Sequence, residues 1–109
     1  MLPYAMVKPV ENPTAAVPSL SDVLNVLRDA TRRQVLVRLL QGECRCLDFA
    51  DLGSKTAMSY HFAALREVGL IQGRKEGTCT WLSIRLQEVE KAFPGLVHAV
   101  LEGTIQESC

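Results

Sequence analysis

A chain of 109 residues, 48% of them hydrophobic, can bury one small core and not two. No apolar run reaches membrane-spanning length, and the N-terminus lacks a basic region leading into an apolar core. A soluble, cytoplasmic chain without secretory signal or membrane contact is therefore expected. The formal net charge is zero, which excludes a uniformly basic polyanion binder but not one whose charge is divided. Residues 55–85 carry five cations (Lys55, Arg66, Arg74, Lys75, Arg85) against two carboxylates, and residues 86–109 carry four glutamates against one lysine. A positive segment and an acidic tail cancel in the total.

Taken in order, residues 1–18 hold Pro3, Pro9, Pro13 and Pro18. Prolines at that spacing break any helix, so an extended N-terminal arm is expected, packed on a partner subunit or free in solvent. Ser19 or Ser21 then caps a helix to about Asp29, with Leu20, Val23, Leu24 and Leu27 as its apolar stripe. Thr31 is the expected cap of a second helix, with Val35, Leu36, Leu39 and Leu40 inward and Gln41-Gly42 as its stop. Arg32, Arg33 and Arg38 project from it; Arg32 or Arg33 suits a phosphate contact, and a solvated face or ion pairs with nearby acids account for them as well. A short third helix is expected from Leu47 to about Leu52, with Phe49 and Leu52 inward.

The segment from Gly53 to Gly69 reads as one helix with both ends marked. Ser54 is a good N-cap and Gly69 a good C′ residue. Met58, Phe62 and Leu65 form one buried stripe. The opposite side carries Lys55, Thr56, Ser59, Tyr60 and Ala63. Short hydroxyls, a phenol and a cation suit a helix that enters a DNA major groove; they also suit an ordinary solvated face. Two strand-like runs follow, around a turn with Gly77, and Arg74 and Lys75 fall near its tip. Leu82, Ile84 and Leu86 alternate inward, with Trp81 on the other face. The final helix, Gln87 to about Gly103, is interrupted by Pro94-Gly95, so a kink or two shorter helices are expected. Its wide stripe of Val89, Phe93, Leu96, Val97, Val100 and Leu101 exceeds what so small a domain can cover. The first and last helices are thus the expected dimer interface. The domain is bounded at 19–103, with residues 104–109 as a C-terminal tail.

The order T-R-R-Q-V-L-V-R-L-L, S-Y-H-F-A-A-L-R-E-V-G-L-I, then R-K-E-G-T resembles the ArsR/SmtB family, over roughly Ser19 to Leu101. Phe93-Pro94-Gly95-Leu96 resembles a final-helix motif of one branch. Ala30 stands where the family has proline. The resemblance implies a mostly α fold with a β-hairpin: a dimeric winged helix-turn-helix of about five helices. It implies a repressor bound to double-stranded operator DNA and released by an effector. Lys55, Thr56, Ser59, Tyr60, Arg74 and Lys75 are the expected DNA contacts. His61 joins them because the family places a histidine there against a phosphate, although a packed core histidine reads equally well.

The cysteines are the candidates for effector chemistry. Many family members place C-x-C near Cys44-Arg45-Cys46, here shifted by one residue, and bind soft ions with it. The implied inducer is As(III), Sb(III) or a soft divalent metal on Cys44 and Cys46. Cys109, Cys79 or a residue of the partner subunit would supply the third ligand. Thiol-redox sensing and non-metal sensing are alternatives, and two cysteines that only pack are a third. No cofactor is certain. No phosphate loop, nucleophile–base pair or zinc-hydrolase motif argues for an enzyme, and a winged helix that binds only protein is the remaining class.

Overall fold

Caps set the helix boundaries in the computed structural model, which describes residues 19–108. Ser19 Oγ accepts from the Asp22 amide at 3.0 Å and opens α1 (Leu20–Leu27). The inner stripe of α1 is Val23, Val26 and Leu27, while Leu20 and Leu24 stay 48% and 47% exposed. Both sets satisfy helical spacing, so packing on α2 decides which one turns inward. α2 spans Ala30–Leu39 and is capped by Asp29, not by Thr31; the Asp29 carboxylate accepts from the Arg32 amide at 3.1 Å. Val35, Leu36 and Leu39 are its buried face.

The third helix is shorter than expected. Cys44–Arg45 form a short strand, β1, and Cys46–Phe49 a single 3-10 turn. Pairing to the wing holds Cys44 and Arg45 extended, and Asp48 turns back to accept from the Arg45 amide at 2.8 Å. Phe49 is fully buried and anchors the segment, so one tight turn suffices as connector. Cys44-Arg45-Cys46 therefore lies across a strand–turn junction and does not open an α-helix.

α3 (Lys55–Glu67) has both expected ends. Ser54 Oγ accepts from the Ala57 amide at 3.1 Å, a cap that contributes about 1 kcal/mol. At the other end the Leu70 amide donates to Leu65 O and the Gly69 amide to Arg66 O, both at 3.0 Å, with Gly69 at φ 82°. That pair of bonds closes the last turn and aims the chain directly into the wing.

The wing is β2 (Ile71–Glu76) and β3 (Cys79–Ile84), joined through Gly77 at φ 64° and Thr78. Glycine at the first central position suits a two-residue hairpin turn. The antiparallel sheet has the order β1-β3-β2. Two helices close the chain, α4 (Leu86–Ala92) and α5 (Leu96–Ser108), broken as expected at Pro94-Gly95. The Gly95 amide, at φ 83°, donates to the Glu90 carboxylate. α5 runs on through Ser108, so residues 104–108 are helix and not tail. Thr104 is buried on its inner face with Val97 and Leu101 and donates to Val100 O at 3.0 Å. Among the described residues the result is five α-helices and a small sheet around one core. Among the described residues no helix is long and apolar enough to cross a membrane. The arm expected over residues 1–18, and Cys109, lie outside the described residues.

Candidate nucleic-acid interface

α3 is fixed from beneath and leaves one side open. Met58, Phe62 and Leu65 are buried, and the Phe62 ring meets Phe49 edge-on at 5.5 Å. Lys55, Thr56, Ser59, Tyr60 and Ala63 are all exposed, Tyr60 at 69%. The turn that delivers α3 is tied to α2 by Arg38, whose guanidinium donates to Asp48 O at 3.1 Å and pairs with the Asp51 carboxylate. That contact holds the Asp51 carboxyl below the usual carboxylate range. Arg38 is thus occupied structurally. So is Arg33, which donates to Leu27 O at 2.7 Å and meets Glu107 at 3.4 Å. His61 is half-buried on the border of core and surface, and its Nδ1 accepts from Arg32 Nε at 3.0 Å.

The two wing cations part company. Side chains alternate along a strand, so Lys75 shares the sheet face of Leu82, Thr80 and Gly73, and Arg74 shares that of Trp81. Arg74 lies 6.0 Å from the Trp81 ring and pairs with Glu43 at 2.8 Å and Glu76 at 3.2 Å. Those carboxylates cancel its charge locally. Lys75 is exposed and makes no ion pair among the described residues. Arg66, read from sequence as a helix-end cation, reaches the same face: its Nη1 lies 3.6 Å from where a Gly73 Cβ would stand. The open positive surface is therefore Lys55, Arg66 and Lys75 around α3, with Arg74 behind it. No spacing rule in the sequence brings Arg66 to the wing; only the close approach at Gly73 shows it.

The thiols sit below this surface. Burial pushes both Cys44 and Cys46 up from the ordinary thiol range. Asp48 adds to the rise at Cys44 while Arg38 opposes it, whereas Arg66 and Lys75 oppose it at Cys46. The two sulfurs thus answer to different neighbours, one toward α2 and one toward α3 and the wing. No group of three metal-ligating side chains occurs among the described residues. Within those residues Cys44 and Cys46 have no third ligating side chain beside them, which does not fit a complete soft-metal site in one protomer.

No family model matches this sequence. The chain is similar to the solution structure of a homodimeric winged helix-turn-helix DNA-binding domain from Mycobacterium bovis, a possible ArsR-family transcriptional regulator. The identity is 30%, the TM-score 0.63, and the match covers 76% of this chain and 78% of that one. A possible transcriptional regulator for arsenical resistance is also 30% identical, with a TM-score of 0.60, over 65% of this chain and 76% of that one. An uncharacterized HTH-type transcriptional regulator of Bacillus subtilis (strain 168) is 28% identical over 85 residues, 73% of this chain and 84% of the relative. These relatives are regulators and not enzymes. With a capped helix exposed beside a wing, this chain belongs to the ArsR family of winged-helix transcriptional regulators.

Proposed function

We propose that the protein is an operator-binding repressor that works as a homodimer. One observation carries the reading: α3 keeps Thr56, Ser59 and Tyr60 exposed on one side while Met58, Phe62 and Leu65 hold the other in the core. Hydroxyls and a phenol on a rigid helix suit base edges in a major groove. Lys55, Arg66 and Lys75 suit the flanking phosphates, which position the helix without reading sequence. The M. bovis relative is a homodimer. Leu20 and Leu24 of α1 and Ile105 of α5 stay about half exposed after the core has formed. A two-fold dimer through α1 and α5 covers them and presents two copies of α3 to one duplex.

The test is selection of duplexes from a random-sequence library, followed by mobility shift at defined salt. The expected product is a two-fold symmetric sequence bound by two protomers. A protein that enriches no sequence, or binds as a single protomer, overturns the reading. Release by an effector is the second half of the proposal, and its motive is the C-x-C pair under the reading surface. Titrating the protein–duplex complex with arsenite, antimonite, cadmium, lead, zinc and a thiol oxidant decides it. Loss of response in Cys44→Ser/Cys46→Ser, with binding intact, is the expected result. A response that survives moves the sensor elsewhere, and no response to any of these removes thiol sensing.

A further inference from the structure

Arg32 joins α2 to the reading helix in a way that neither a phosphate contact nor a surface ion pair accounts for. Its Nε donates to His61 Nδ1 at 3.0 Å. Its guanidinium carbon lies 5.7 Å from the centre of the Tyr60 ring. The Tyr60 and His61 rings meet edge-on at 6.2 Å. One side chain of α2 therefore touches two consecutive residues of α3, and one of the two is the largest exposed group on its outer side. Arg32 makes no carboxylate ion pair among the described residues. Its side chain is half-buried, so it is a strut more than a solvated charge.

We propose that Arg32 is a positioning residue for sequence reading, holding Tyr60 and His61 in one arrangement only while His61 Nδ1 is free to accept. The inference rests on the reading of α3 given above. Guanidinium has no acceptor and keeps its protons at any ordinary pH. The bond at 3.0 Å therefore requires a lone pair on Nδ1, which places the proton of a neutral imidazole on Nε2. A second proton removes the acceptor and sets imidazolium against guanidinium. The clamp then opens, and the phenol loses the cation that fixes its side. Free cationic charge near the duplex does not fall in that step; what falls is the order of the reading surface.

The charged groups around this cluster come from three helices and one turn. Asp22 of α1, Arg32 of α2 and Glu67 of α3, with Arg28 and Asp29 of the turn between α1 and α2, line the open cleft of about 640 Å³ that Arg32 shares with Tyr60. Asp29 is engaged as the α2 cap. Three carboxylates thus stand beside two arginines in that cleft. The chain has two histidines, and the one besides His61, His98, lies on α5.

The experiment uses a duplex selected by the wild-type protein from a random-sequence library, and a scrambled duplex of the same composition. The ratio of the two affinities is read from pH 7.5 to 5.5 at constant ionic strength. For the wild type the ratio falls by about tenfold between pH 7.5 and 5.5. In His61→Asn, whose amide oxygen can accept from Arg32 in place of Nδ1, the ratio is the same at pH 7.5 as at pH 5.5, whatever loss of the histidine does to the absolute affinities. In Arg32→Lys the ratio is already low at pH 7.5, although the cation is retained, and the salt dependence is unchanged. If lysine restores the ratio, or if loss of Arg32 weakens both duplexes equally with a shallower salt slope, Arg32 is a phosphate contact and the proposal fails. A wild-type ratio that does not move with pH also overturns it. Should Arg32→Lys not fold, His61→Asn and the wild-type profile decide alone. A wild type that discriminates at pH 7.5 keeps the α3 reading whatever the variants do, and one that never discriminates ends both.

Discussion

Lys75 and Arg74 are neighbours in sequence with different work to do. Arg74 is held by Glu43 and Glu76 and covers Trp81, so its charge is spoken for. Lys75 faces the α3 side of the sheet together with Arg66. Lys75→Ala should weaken binding to every duplex about equally and reduce the salt slope by roughly one counterion. Arg74→Ala should change both much less. Mobility shifts over a salt series measure the pair, and equal effects would remove the distinction between the two faces. The thiols give a second expectation. Burial raises both Cys44 and Cys46, so less thiolate is present at neutral pH than in a free cysteine. Alkylation by iodoacetamide, followed by mass spectrometry, should be slower at both than at a model thiol near pH 7, and the gap should close as pH rises. Fast alkylation at pH 7 would show an activated thiol that these surroundings do not explain.

Among the elements, α3 and the wing were the most legible, because each carries its own punctuation. Ser54, Gly69 and Gly77 mark ends and turns through bonds and backbone angles that they alone satisfy. Pro94-Gly95 marked the break between α4 and α5 for the same reason. β1 was invisible, since two residues show no period and Cys44–Arg45 is extended only through pairing with Leu82 and Trp81. The 3-10 turn read as a helix because Phe49 and its neighbours have helical apolar spacing, which one turn also satisfies. The α1 stripe was rotated because two apolar sets overlap on that helix, one for the core and one left outside. At the site, the outward side of α3 could be read from periodicity. The occupation of Arg74 and the placement of Arg66 could not, since both depend on strand register. The shared Phe49–Phe62 contact ties the connector to α3. Phe62→Ala should cost about 3–5 kcal/mol in urea unfolding. A cost under about 1 kcal/mol would mean that α3 is not seated on this core.

At the scale of the whole molecule, one protomer leaves Leu20, Leu24 and Ile105 half exposed on its first and last helices. Arg33 brings the ends of those helices to one end of α2, through Leu27 O and Glu107. Leu24→Glu should shift the protein toward monomer in sedimentation equilibrium, with its helical signal intact, and binding to a two-fold site should fall with it. A dimer undisturbed by that charge would place the interface elsewhere.

If the exposed side of α3 selects the bases, changing its side chains changes which bases are preferred. Base-by-base preferences from random-library selection, compared between the wild type, Ser59→Ala and Tyr60→Ala, test it most directly. The expected product is two symmetric half-sites about one helical turn apart. Each variant should lose preference at a few positions in both half-sites and keep it at the others. Identical preferences in all three proteins would contradict it.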